Sequence, residues 1–121
     1  MKHDRVYVVH ILETIADINE LTAAGREAFM TAKHDRAAVL HYLQTMAEST
    51  QRLSDEIKAA YPVVDWKAIS GFRNRLAHGY LSVNMDIVWS VIQDYLPELQ
   101  RAAEAMLADL EEQGGETSEQ R

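Results

Sequence analysis

The stretch Val39-Leu40-His41-Tyr42-Leu43-Gln44-Thr45-Met46-Ala47-Glu48-Ser49-Thr50-Gln51-Arg52-Leu53 decides the fold class. Val39, Leu43, Met46, Thr50, Leu53, Ile57 and Ala60 recur every three or four residues, the period that places side chains on one face of an α-helix. This spacing predicts a long helix from near Asp35 to about Ala60. Tyr61-Pro62 ends it, because the residue before a proline is pushed out of helical geometry. Upstream, Val8, Ile11, Ile15 and Ile18 keep the same period, widened by Leu12 and Leu21. They predict a first helix from an Asp4 N-cap to about Ala23, ahead of Gly25. Arg26 to Ala32 is short and ambiguous. Downstream, Asp65 caps a third helix that reaches Ala77 or His78, with Gly79 as its stop. The last helix starts near Asn84 and runs to about Gln113 along Val88, Ile92, Tyr95, Leu99, Ala102, Met106 and Leu110. Pro97 predicts a kink in it. Trp66, Trp89 and Tyr95 read as core or interface aromatics.

No segment reads as a strand or a repeat. The expectation is an all-α, four- to five-helix up-and-down bundle over residues 1–113, followed by a disordered polar tail over residues 114–121. The second and fourth helices are long relative to the third, so a homodimer is expected to cover the apolar surface that the third leaves bare.

At 121 residues the chain suffices for one domain with its own core. It has no cysteine, which excludes disulfides and thiolate metal sites and fits a reducing compartment. No apolar run approaches the ~20 residues that cross a bilayer. Met1-Lys2-His3-Asp4-Arg5 lacks the apolar core of a signal peptide, so a cytoplasmic protein is expected. The net charge of −7 argues against a general nucleic-acid surface. Between Trp66 and Met85, however, Lys67, Arg73 and Arg75 occur with no acid among them. This is the most basic local window of an acidic chain, and it suits a small phosphate site better than a long groove.

Inside that window lies Arg73-Asn74-Arg75-Leu76-Ala77-His78-Gly79-Tyr80. An arginine holds a phosphate through a fixed fork of N–H donors, and a histidine takes and returns a proton near neutral pH. On a helix at 100° per residue, Ile69, Phe72 and Leu76 define the buried face. Arg73 falls about 40° from Ile69 and His78 about 180° from it, so the pair stands roughly 140° apart. Two arrangements bring them together. The helix ends before His78 and swings it round, or two chains meet and form a composite site at a two-fold axis; the second is favoured. The plainer readings are an Arg73 stem laid on the core with its head in water, a His78 helix cap and a packing role for Tyr80. His3 with His10, and His34 with His41, are seven residues apart, but no third ligand accompanies either pair. Neither a metal nor a cofactor is expected. There is no phosphate-cradling glycine loop and no Gly-x-Ser-x-Gly elbow.

The run from Tyr61-Pro62 through Trp66, Ile69, Gly71 and the Arg73–Tyr80 stretch to Ile87-Val88-Trp89 and Leu96-Pro97-Glu98-Leu99 resembles the HepT-like ribonucleases. These are the HEPN-domain toxins of the HEPN/MNT toxin–antitoxin pairs. The likeness spans about residues 35–110, and the acidic tail has no counterpart in the family pattern. The resemblance implies a dimerising helical bundle whose Arg-x4-His motifs face each other across the interface. Arg73 and His78 are then the catalytic pair, and Asn74 is a supporting polar residue. Tyr80 matches the tyrosine that an MNT-type nucleotidyltransferase antitoxin modifies with AMP, and a larger hetero-oligomer with that antitoxin is allowed. The implied reaction is metal-independent endonucleolytic cleavage of RNA by the 2′-hydroxyl. Arg75 or Lys67 would help bind the backbone, and DNA would not be cut. The alternative is a non-catalytic HEPN companion that binds substrate for a nucleotidyltransferase.

Overall fold

The computed structural model describes residues 2–78 and 83–119. Among them every regular element is helical. In chain order these are α1 (Lys2–Leu21), α2 (Arg26–Thr31), α3 (Lys33–Arg52), α4 (Asp55–Ala59), α5 (Trp66–His78), α6 (Met85–Ser90), a π-helical turn (Val91–Tyr95) and α7 (Leu96–Glu119). The fold class is all-α, as the periodicity predicts. No helix among the described residues is long and apolar enough to cross a membrane.

The apolar stripes become the core. Val8, Ile11, Ile15 and Ile18 of α1 are buried against Val39, Leu43 and Met46 of α3 and Leu99, Ala102 and Met106 of α7. Helix α1 is central, packing on α3 and on α7, while α3 also carries α5. Cross-links fix the directions. Asp4 meets Ser54, His10 meets Ser49 (2.6 Å), and Asp17 shares a cleft with His41, so α1 and α3 are antiparallel. At the other end Arg26 pairs with Asp86, whereas Arg5 reaches Glu111, so the α6–α7 rod also runs antiparallel to α1.

Asp4 does not cap α1, which already begins at Lys2. It lies buried within the first turn, where its carboxylate accepts from the Ser54 backbone N–H (2.8 Å) and hydroxyl (2.7 Å). Ser54 in turn caps α4, its Oγ accepting from Ile57 N–H. That polar link explains a second difference. The helix expected over residues 35–60 breaks at Leu53 and Ser54, both in extended geometry, and restarts as α4. A hydroxyl held by a carboxylate and offered to the next turn favours the N-cap conformation over helix continuation. The stripe survives the break as far as Leu53 and Ile57, while Ala60 is exposed. Gly25, after α1, has φ +100° and ψ 177°, a conformation essentially confined to glycine, and it turns the chain into α2.

The last helix also departs from expectation. The irregularity lies just ahead of Pro97, as a π turn at Val91–Tyr95 in which Leu96 N–H bonds to Val91 O, five residues back. A proline lacks the N–H for its own turn and crowds the carbonyl four residues earlier, and a widened turn relieves both. The extra residue advances the register. Leu96 takes the core position (2 % exposed), and Tyr95, predicted to lie on the buried stripe, is 63 % exposed. The backbone of α7 continues as helix to Glu119, past Gln113 where the sequence predicts the helix to end. Glu111, Glu112 and Gln113 favour helix, and each following glycine opposes it by only about 1 kcal/mol.

Tyr61, between α4 and α5, donates its phenol proton to the Asp109 carboxylate on α7. Burial first, then this hydrogen bond and the carboxylate charge, push its pKa up to about 12. The fold therefore favours the neutral phenol. Its contribution is complete below the ordinary value near 10 and disappears as pH rises towards 12. In an ultraviolet phenolate titration one tyrosine should ionise above the ordinary range, and Asp109→Asn should reduce that rise while leaving the part that burial causes. Synchronous ionisation in the parent would show that the Tyr61–Asp109 bond does not persist in solution.

Candidate active site on helix α5

Helix α5 is fixed at both ends of its first half. The Asp65 carboxylate accepts from Ala68 N–H at 3.0 Å, the N-cap that the sequence predicts. Trp66 donates its indole N–H to the carbonyls of Lys58 and Tyr61, at 3.1 and 3.2 Å. Gln51 of α3 then holds the Ser70 hydroxyl at 2.9 Å. Leu76 is the fully buried anchor, with Ile69 and Phe72 half-buried beside it. These contacts set the rotation of α5 about its axis, and so the direction of each polar residue.

Arg73 lies half-buried at the margin of the apolar face. Its Nη1 donates to the Asn74 side-chain oxygen at 3.3 Å. Its Nε is enclosed and has no hydrogen-bond partner, which no other buried side-chain N or O atom among the described residues shares. An unsatisfied buried donor costs about 1–3 kcal/mol, and natural folds retain few of them. Asn74, Arg75, Lys67 and His78 are exposed, and among the described residues no carboxylate pairs with Lys67, Arg73 or Arg75. On the helical wheel Lys67, Arg73 and Arg75 point about 160°, 40° and −120° from Ile69, so these three unneutralised cations ring the short helix as separate anion-attracting points on an acidic protein. Tyr80 and Gly79 lie outside the described residues.

The helix runs through His78. His78 is therefore not swung back toward Arg73. The two remain about 140° apart around α5, as the spacing predicts. Between them, at about 80° to 160° from Ile69, lie Ala77, Ser70, Asn74 and Lys67, a strip of small and polar side chains. One copy of the chain thus presents Arg73 and His78 on either edge of a low strip and does not bring them together.

On the other side of α5, a groove of about 350 Å³ lies between α5, the π turn and the start of α7, with Met46 of α3 among its lining residues. The helical period, which puts Tyr95 on the packed stripe, leaves no place for this groove. Pro97 was the available signal of a disturbed register. Away from α5, His10 and His41 line a cleft with Glu13 and Asp17, but no group of three or more potential metal ligands converges among the described residues.

Comparison with known proteins places this geometry in a family. The chain is 31% identical over 108 residues to a candidate RNase of Caldanaerobacter subterraneus subsp. tengcongensis, covering 88% of this chain and 96% of that one. It is 28% identical over 114 residues to a candidate RNase of Methanocaldococcus jannaschii, covering 91% and 92%. A candidate ribonuclease HepT of Thermococcus cleftensis is 26% identical over 94 residues, 77% of this chain and 86% of that one. No solved structure matches. The family profile described as Ribonuclease HepT-like matches residues 11–106, a span that takes in the core, α5 and the groove. The chain belongs to the HepT-like ribonuclease family.

Proposed function

We propose that the protein is a metal-independent endoribonuclease, the toxin of a toxin–antitoxin pair, working as a cytoplasmic homodimer with a composite Arg73–His78 site. The observation that carries this reading is the divergence of the two residues on an unbroken helix. A two-fold axis over the strip of Ser70, Asn74 and Ala77 brings Arg73 of each copy towards His78 of the other, and small side chains allow the close approach this needs. Family membership and the relatives' names support the ribonuclease assignment.

In this reaction His78 accepts the proton of a ribose 2′-hydroxyl, whose oxygen attacks the adjacent phosphorus. The bond to the 5′ oxygen breaks, and that oxygen takes up a proton. The products are a 2′,3′-cyclic phosphate and a 5′-hydroxyl. Arg73 stabilises the charge that gathers on the phosphoryl oxygens through the outer N–H groups of its guanidinium. Asn74 holds the guanidinium, while Lys67 and Arg75 support RNA binding. Modification of Tyr80 with AMP by an MNT-type nucleotidyltransferase would place a phosphodiester charge two residues from His78 and oppose RNA at short range.

The test is incubation of partner-free, AMP-free protein with total RNA and with single-stranded DNA in EDTA. RNA fragments carrying cyclic-phosphate and 5′-hydroxyl ends, with DNA intact, are expected. Cleaved DNA, or activity abolished by EDTA, would refute the mechanism. Intact RNA from a folded dimer would favour the companion that binds without cutting.

A further inference from the structure

We infer that the groove between α5 and α7 is a binding subsite for an unpaired guanine base of the RNA, read by Arg75 and Glu98 from opposite walls. The inference rests on the ribonuclease reading for its biological meaning, but its chemistry comes from the groove itself.

The groove lies away from the strip that faces a second copy. Phe72, Ala68, Arg75 and Gly71 project at about −60° to −160° from Ile69, on the far side of α5 from Ser70 and Asn74. Pairing through the strip therefore leaves the groove open. It also leaves it next to the chemistry. Gly71, Arg75 and His78 follow one another at the i, i+4, i+7 spacing, so Arg75 is one helical turn, about 5 Å, from His78 along the same line. A nucleotide adjoining the scissile phosphate reaches the groove from there.

The walls suit a flat heterocycle. Ile69 and Phe72 on one side and Val91, Tyr95 and Leu99 on the other give a mostly apolar slot of about 350 Å³, within the usual range for small-ligand sites. Tyr95 is turned out of the core by the π turn, and an exposed aromatic ring in such a slot is a stacking surface for an unpaired base.

The polar groups select among bases. Arg75 lines the α5 wall and Glu98 the α7 wall, and no ion pair joins them or engages either elsewhere among the described residues. The third charged lining residue, Asp65, already spends one carboxylate oxygen capping α5. A cation on one lining helix and a carboxylate on the other, in a mostly apolar slot, fit a planar molecule with acceptors on one edge and donors on the other. Guanine is that base. Its O6 and N7 accept from an arginine fork, and its N1–H and N2–H₂ lie side by side to meet a carboxylate. Uracil offers one N–H flanked by carbonyls that a carboxylate repels. Neither cytosine nor adenine presents two adjacent N–H groups of this kind. A bare phosphate would find one cation and two carboxylates, a poor anion site.

The test is a methyl-detected NMR titration of the full chain with GMP, IMP, AMP, CMP and UMP, following Met46, Ile69, Val91 and Leu99. GMP should shift these methyls at the lowest concentration. IMP, which lacks the N2 amine, should bind more weakly, and the pyrimidine nucleotides weakest of all. Glu98→Gln should weaken GMP roughly tenfold while leaving UMP unchanged. Tyr95→Leu should weaken all five and leave the spectrum folded. Equal affinity for all nucleotides, or groove methyls that shift with protein concentration and ignore nucleotide, would overturn the proposal. The latter result would assign the groove to a second copy. Because the readout is binding, it stands or falls separately from whether the protein cuts RNA.

Discussion

On the proposed mechanism His78→Ala is expected to lower the rate of RNA cleavage at least about a hundredfold, because it removes the group proposed to take the 2′-hydroxyl proton. Arg73→Ala should lose roughly a hundred- to a thousandfold, the usual consequence of removing a donor from a developing oxyanion. Both variants should fold. His78 is exposed, and the head of Arg73 makes a single long hydrogen bond, to its neighbour Asn74. Mixing them discriminates further. In a mixed dimer one composite site lacks both groups and the other retains both. Random reassortment makes about half of the dimers mixed, so about a quarter of the parental activity should return. A site contained within one chain recovers nothing on mixing, and that outcome would exclude the two-fold arrangement. Unaltered cleavage by either single variant would remove its residue from the chemistry altogether.

The second large effect concerns stability and involves no part of α5. Phe29→Ala is expected to destabilise the fold by about 3–5 kcal/mol, as emptying a large buried aromatic position does. Phe29 is the one fully buried residue of α2, a helix of six residues that is too short to persist without packing. Its ring lies 5.5 Å from Trp89 at 34°, so α2 is held to α6 through this pair and through Arg26–Asp86. The salt bridge, more than half exposed at both ends, contributes little. Urea titration should show the loss, and Phe29→Leu should recover most of it. A loss under about 1 kcal/mol would mean that α2 is detached in solution and that Phe29 anchors nothing.

Local signals were legible in the sequence. The period of Val8, Ile11, Ile15 and Ile18 located the inner face of α1, and Asp65 and Asn84 announced the starts of α5 and α6 by side-chain capping. Helical spacing alone also gave the divergence of Arg73 and His78, which holds because α5 runs through His78. What escaped was tertiary. The break between α3 and α4 depends on Asp4, fifty positions from Ser54, reaching across to it. The outward turn of Tyr95 depends on the widened turn before Pro97, and an ideal helical wheel cannot show it. The groove lies between α5, the π turn and the start of α7, a relation between elements that none of them encodes by itself.

The placement of Arg73 and His78 on opposite edges of one rigid helix has a consequence for dosage. If each working site takes one group from each of two chains, a single molecule is inert however well folded. Below the dissociation constant of the pair, output then grows with the square of concentration. A few copies released by leaky synthesis would do almost nothing, while a modest surplus over whatever restrains them would act abruptly. The threshold would lie in the geometry of α5 and need no additional regulator.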